Sequence, residues 1–211
     1  IENIKKMREK YDDLAVVCYI NSTAEIKTYS DVCVTSSNAV KIVNKLPNKN
    51  IFFIPDQNLG SYVATQVKDK NIILNSGFCP RHHIMTKEDV LNAKKEHPNA
   101  LVAVHPECKP EVLGEADYIG STSGIIDYIV GNDAKEFIVG TVDGVYATIL
   151  KQAPDKKLYN VVRTQVCPNM KLNSLEKIIH VLETGENEVF LDEDFMNKAK
   201  APLERMLELA K

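Results

Sequence analysis

Short apolar runs rich in β-branched residues punctuate the chain: Leu14–Ile20 (LAVVCYI), Asn50–Pro55 (NIFFIP), Asn71–Leu74 (NIIL), Ala100–Val104 (ALVAV) and Glu136–Gly140 (EFIVG). Unbroken runs of this length suit parallel strands covered on both faces. Between them, Ser36–Leu46, Asn58–Val67 and Lys87–His97 carry apolar residues at helical spacing. The alternation predicts an α/β fold with parallel sheets. Two flanking helices are expected. One runs over Ile1–Leu14, with Ile4, Met7, Tyr11 and Leu14 on one face; the other runs over Leu203–Lys211, started by Pro202 in its first turn.

The pattern repeats. Val16–Val43 (VVCYINSTAEIKTYSDVCVTSSNAVKIV) and Val102–Val130 (VAVHPECKPEVLGEADYIGSTSGIIDYIV) each hold a strand, a polar triplet, an acidic stretch, an Asp and a hydroxyl cluster opening a helix. Asp31 and Asp117 are 86 residues apart, as are Ser36 and Thr122; Tyr62 and Tyr146 are separated by 84, and Cys79-Pro80 and Cys167-Pro168 by 88. Self-similarity at a fixed period is a signature of duplicated units. The expected fold is two homologous three-layer αβα repeats with parallel sheets. The first repeat covers residues 1–79, the second 80–167, and a C-terminal helical segment covers 168–211.

Composition narrows the function classes. Apolar residues make up 44% and charged residues 26% of 211, with a net charge of −3 and no basic stripe, so neither nucleic acid nor membrane is an expected partner. No signal-peptide pattern and no long apolar run is present, which makes a soluble cytoplasmic protein the expectation. Five widely spaced cysteines, an odd number, read as reduced thiols rather than a secreted disulfide framework. The chain starts at Ile1 rather than Met, so a longer parent protein is expected.

Three groups of residues carry candidate chemistry. The hydroxyl clusters Thr35–Asn38 and Gly120–Gly124 read singly as helix N-caps; at matched positions in two repeats they also read as an anion site at the carboxyl ends of the strands. The triplets Tyr19-Ile20-Asn21 and His105-Pro106-Glu107 follow equivalent strands. Tyr, His and Glu pass protons, Asn orients a carboxyl or carbonyl group, and Pro106 fixes the backbone between His105 and Glu107. Cys79 and Cys167 close their repeats, each before a proline, while Cys18, Cys33 and Cys108 read as packing. Two equivalent cysteines converge if the repeats pack about an axis, but a four-iron cluster needs more, so a third copy with a third cysteine is expected outside this chain. Zinc at Cys79, His82 and Cys167 is an alternative, as is a two-lobed binder of small dicarboxylates or phosphates using Ser36 and Thr122 without metal.

The segments YINSTAEIK, TSSNAVKIV, PDQNLGSYV, GFCPRHH, HPEC followed by ADYIGSTSG, and CPNMKLNSLEKI resemble, in order and spacing, the signature segments of quinolinate synthase, the A protein of NAD biosynthesis. The resemblance runs from about Val16 to the end of the chain. It implies three similar domains about a pseudo-threefold axis, of which this chain holds the second and third with the first domain missing. It implies a [4Fe–4S] cluster with Cys79 and Cys167 as two of its three cysteine ligands. Tyr19, Asn21 and Ser36 would contact substrate from one domain, and His105, Glu107 and Thr122 from the other. Tyr19, His105 and Glu107 would be catalytic, with Tyr19 and Glu107 moving protons and His105 polarising an oxygen. The implied reaction condenses iminoaspartate with dihydroxyacetone phosphate to quinolinate, and the L-aspartate oxidase that supplies iminoaspartate is an implied partner. The acidic residue of Gly140–Ile149, Asp143, stands one position later than the resemblance leads one to expect.

Overall fold

The computed structural model describes residues 1–211. Its elements run α1 (Glu2–Lys10), β1 (Leu14–Tyr19), α2 (Ala24–Lys27), β2 (Val32–Val34), α3 (Ala39–Lys45), β3 (Asn50–Ile54), α4 (Gln57–Gln66), β4 (Asn71–Leu74), α5 (Pro80–His83) and α6 (Lys87–Glu96). They continue with β5 (Leu101–Val104), α7 (Pro110–Leu113), β6 (Tyr118–Ile119), α8 (Thr122–Gly131), β7 (Glu136–Gly140), α9 (Val145–Gln152), β8 (Lys157–Asn160), a 3₁₀ turn at Met170–Leu172, α10 (Leu175–Thr184) and α11 (Glu193–Leu209). The strands form two four-stranded sheets, β2-β1-β3-β4 and β6-β5-β7-β8, parallel throughout and identical in strand order. The expected α/β architecture of two three-layer repeats is what the chain adopts.

The apolar runs of β1, β3, β5 and β7 are buried because their strands have helices on both sides, whereas the edge strand β4 (Asn71–Leu74) stays partly exposed. The second sheet shows the partition. Val102, Val104 and Ile138 join one core with Val90 and Ala93 of α6 and Val112 of α7. Ala103, Phe137 and Val139, pointing the other way by the two-residue period of a strand, join Ile125 and Ile129 of α8 and Val145 and Ile149 of α9. The first sheet packs around Val16, Val17, Phe52 and Phe53, and its core takes in Ile4 of α1 and Met206 of α11.

The matched aspartates have matched work. Asp31 accepts a hydrogen bond from the Val16 backbone N–H (2.6 Å), and Asp117 accepts one from Val102 N–H (2.8 Å). In return Asp31 N–H donates to Val16 O, and Asp117 N–H to Val102 O. Each aspartate thus pins the entry to an edge strand onto the central strand beside it. A second matched pair, Lys70 and Lys156, folds back in each repeat onto carbonyls of the helix-to-strand turn: Leu46 and Asn48 in one, Asn132 and Ala134 in the other.

Three strands escaped the pattern. β2 and β6 are only three and two residues long, and β8 (KLYN) is polar at both ends. The expected N-terminal helix stops at Lys10, so Leu14 opens β1 instead of lying on the helix face with Ile4. Pro202 does not start the last helix. It lies inside the 17-residue α11, buried with Ala199 and Met206 along the stripe that faces the first sheet. No helix is long and apolar enough to cross a membrane.

Candidate active site

The carboxyl ends of the strands carry the polar residues, as parallel sheets lead one to expect. Just beyond β5, His105, Glu107 and Cys108 are all buried. His105 N–H donates to Gly140 O (3.1 Å), which fixes the turn against the end of β7. α5 follows directly on Cys79, the end of the first repeat, and places His82 against this turn. His82 Nδ1 lies 2.9 Å from Glu107 Oε2 and 3.2 Å from Cys79 Sγ, and its Nε2 lies 3.0 Å from Thr141 Oγ1. The His82 and His105 rings stack, with centroids 4.7 Å apart.

Three further contacts cross between the repeats or frame the cluster. Ser36, in the loop after β2, meets His105 Nε2 at 3.2 Å. Asn58, in the first turn of α4 and only 4% exposed, donates to Glu107 O (3.0 Å) and lies 3.1 Å from His83 Nδ1. Asp56 is the N-cap of α4, accepting from Leu59 N–H (2.8 Å) through one oxygen and from Cys79 N–H (2.7 Å) through the other. Cys79 is therefore tied to the helix start rather than left on a free loop. The return to it passes Gly77, where a Cβ would come within 2.6 Å of Pro55 O; only glycine fits so close an approach. The second repeat uses a different device near Cys167. The Gln165 side chain donates to Val139 O and Thr141 O (2.8 and 2.7 Å) and accepts from Val161 N–H (2.9 Å).

Electrostatics separate the two imidazoles. Burial works against charge on His82, but its hydrogen bonds with Cys79 and Glu107 outweigh that and raise its pKa to about 9. Burial and the neighbouring His82 charge lower His105 to about 4. His105 is neutral, and its Nδ1 accepts the Glu107 backbone N–H (3.3 Å), which leaves the proton on Nε2 to face Ser36. Burial opposes charge on Glu107 too, yet His82 holds its carboxyl below the usual range. Burial and the Glu107 charge push Tyr19 up to about 12, while Ser36 beside it pulls the other way. The result is a buried carboxylate–imidazolium pair flanked by a neutral imidazole, a serine hydroxyl and a protonated phenol. Such a set holds an anion, polarises oxygens and exchanges a proton between Glu107 and His82.

Of the residues expected from sequence, Tyr19, Ser36, Cys79, His105 and Glu107 meet in this cluster. Asn21 and Thr122 are exposed. Ser121, not Thr122, caps α8 by accepting from Gly124 N–H (3.2 Å), so the two hydroxyl loops are not used alike. Cys79 Sγ, a His82 ring nitrogen and a Glu107 carboxylate oxygen lie within 4.8 Å of one another, a three-donor group that does not include Cys167. Cys18, Cys33 and Cys108 are fully buried in the cores, and Cys79 and Cys167 are the two half-buried thiols. Both sit just past the carboxyl end of equivalent sheets and precede a proline, and soft thiolates are the donor type that iron–sulfur clusters take. Sequence reasoning gave His82 only as a zinc alternative and missed Asp56, Asn58 and Thr141. The available signal was the Asp of PDQN directly before the helix start and the His three after Cys79.

The fold and this cluster define an enzyme built from duplicated parallel α/β units, with acid–base and thiol groups gathered at their carboxyl ends. The family model described as NadA, quinolinate synthetase A protein, matches residues 1–208, and the chain belongs to that family. It is 58% identical over 210 residues to quinolinate synthase of Fusobacterium nucleatum, covering 100% of this chain and 70% of that protein. Quinolinate synthase of Caldicellulosiruptor saccharolyticus is 50% identical over 209 residues, with 99% and 69% covered. Quinolinate synthase 2 of Methanosarcina acetivorans is 45% identical over 210 residues, with 100% and 67% covered.

Proposed function

We propose that the chain serves in a cytoplasmic quinolinate synthase, condensing iminoaspartate with dihydroxyacetone phosphate to quinolinate with loss of phosphate and two waters. The observation that supports this reading best is the Glu107–His82 pair (2.9 Å) of the second repeat beside Cys79 of the first. Cys79 and Cys167 would hold a [4Fe–4S] cluster, with a third cysteine from outside this chain. When bound, a three-cysteine cluster supplies Lewis-acid chemistry through its open iron. The residues of this chain do the rest. His82, positively charged, draws in the carboxylates of one substrate and the phosphate of the other. Neutral His105, through Nε2–H, and the Ser36 hydroxyl orient a carbonyl or hydroxyl oxygen. Glu107 accepts a proton from carbon or nitrogen during isomerisation and dehydration, and Tyr19, kept protonated, returns one. An L-aspartate oxidase is the fitting supplier, because free iminoaspartate hydrolyses.

The test is anaerobic reconstitution with iron and sulfide, of this chain alone and together with the portion of the Fusobacterium relative it does not span. A broad visible charge-transfer band and quinolinate formation are expected in the pairing, with both lost in Cys79→Ser and in Cys167→Ser. A band that survives both substitutions overturns the assignment. The Cys79–His82–Glu107 group favours a second reading, a single divalent ion at that site. Stoichiometric zinc with no visible band, released by His82→Ala and untouched by Cys167→Ser, would establish it instead.

A further inference from the structure

Cys18 and Cys33 face each other across the parallel strands β1 and β2 as register partners. Paired strands lie about 4.8 Å apart, and in-register side chains leave the sheet on the same face. The α-carbons therefore fall within the roughly 4.4–6.8 Å that a disulfide spans. Both residues are fully buried, and neither belongs to the cluster around Glu107. The four-residue α2 that follows β1 buries none of its own residues, and α11 packs against it and β2.

The surroundings are not those of a plain packing thiol. Ser22 Oγ is buried without a hydrogen-bond partner, and Ser22, Ser30 and Lys27 lie around the Cys18 sulfur. Lys27 is held there by the Ser22 carbonyl. The two thiols divide their protons unequally: Cys33, then the hydroxyls and Lys27, draw Cys18 down to about 6 against the effect of burial, while Cys33 is pushed up. Cys108 provides the contrast. It is equally buried and donates to a carbonyl, Gly140 O (3.4 Å), as Cys18 does to Tyr19 O (3.5 Å), but it has no cysteine opposite, and burial pushes its pKa up.

We propose that Cys18 and Cys33 form a dithiol oxidisable by hydrogen peroxide, closing to a disulfide between β1 and β2. The Cys18 thiolate attacks one peroxide oxygen; an S–O bond forms, the O–O bond breaks, and hydroxide leaves to become water. Cys33 then attacks the Cys18 sulfur; the S–S bond forms, the S–O bond breaks, and the hydroxyl departs with the Cys33 proton as a second water. Two electrons pass from the sulfurs to one peroxide. Cys18 directly precedes Tyr19, and Cys33 stands three residues before Ser36, so the bridge would form at the root of two arms of the candidate site.

The experiment treats the native chain, and a Cys79→Ser, Cys167→Ser variant that removes the half-buried thiols, with millimolar hydrogen peroxide before alkylation and peptide mapping. The expected product has lost two thiols and two hydrogen masses, contains a Cys18–Cys33 linked peptide reversed by dithiothreitol, and keeps Cys108 reduced. In Cys33→Ala, Cys18 should stop at a sulfenic acid trapped by dimedone, at least about tenfold faster than Cys108 reacts. Oxidation of Cys18 no faster than Cys108, or a disulfide that forms only after unfolding, overturns the proposal.

Discussion

Glu107 stays charged in a buried setting because an imidazolium 2.9 Å away stands against it, so each partner depends on the other. Glu107→Gln keeps the shape and removes the base. Turnover of the cluster-loaded protein should fall by about 10²–10⁴ while the visible spectrum is retained, and unchanged turnover would remove Glu107 from the mechanism. His82 gives a pH signature. Its folded pKa of about 9 lies above the ordinary 6.5, so its contribution to stability is complete below pH 6.5 and is lost as pH rises through 9. The difference in unfolding free energy between the parent chain and His82→Ala, followed by urea titration, should shrink over that window; a constant difference would show that His82 does not hold the extra proton. The residue types at this site were legible in part. His105 and Glu107 stood out because a proline separates them at a strand end, and Cys79 because it ends a repeat. Asn58 and Asp56 did not stand out, because a polar residue in a first helical turn looks the same whether it meets solvent or crosses to another sheet. Asn58 Nδ2 reaches Glu107 O, 49 positions along the chain.

At the scale of elements, the aspartates repeated 86 residues apart were the clearest sign of duplication, and the structure gives the cause. A carboxylate in that position replaces a missing rung between a short edge strand and its neighbour. Asp117→Ala should cost about 1 kcal/mol in urea unfolding, the worth of one partly exposed hydrogen bond, with β6 losing protection from amide exchange first. A Cβ at Gly140 would meet Val104 Cγ1 at 2.7 Å, between two strands with no room to part. Gly140→Ala should destabilise the chain by about 1–3 kcal/mol and disturb the turn that carries His105. The edge strands themselves were illegible, since two or three residues offer no period to read. The two sheets were visible through their long central strands, whose apolar runs no other setting would bury.

On the scale of the whole molecule, the last two helices behave oppositely. α10 buries nothing, and Leu175 and Leu182 are 74% and 80% exposed. Leu182→Glu should therefore leave thermal unfolding unchanged within about 0.5 kcal/mol, and a larger loss would mean that the helix is packed in solution. α11 reaches back to the first sheet, lies against α2, β2 and α3, and sets Met206 in the first core. Its end is held by Lys41, which binds the carbonyls of Ala210 and Lys211 (2.5 and 2.8 Å), and by Lys45, which binds that of Leu209 (2.7 Å). A ribosome making this chain releases β1, β2 and β3 well before Met206, which completes the same core. The first sheet is thus closed only after the whole second repeat has been made, and a nascent chain must shelter that open flank until α11 emerges.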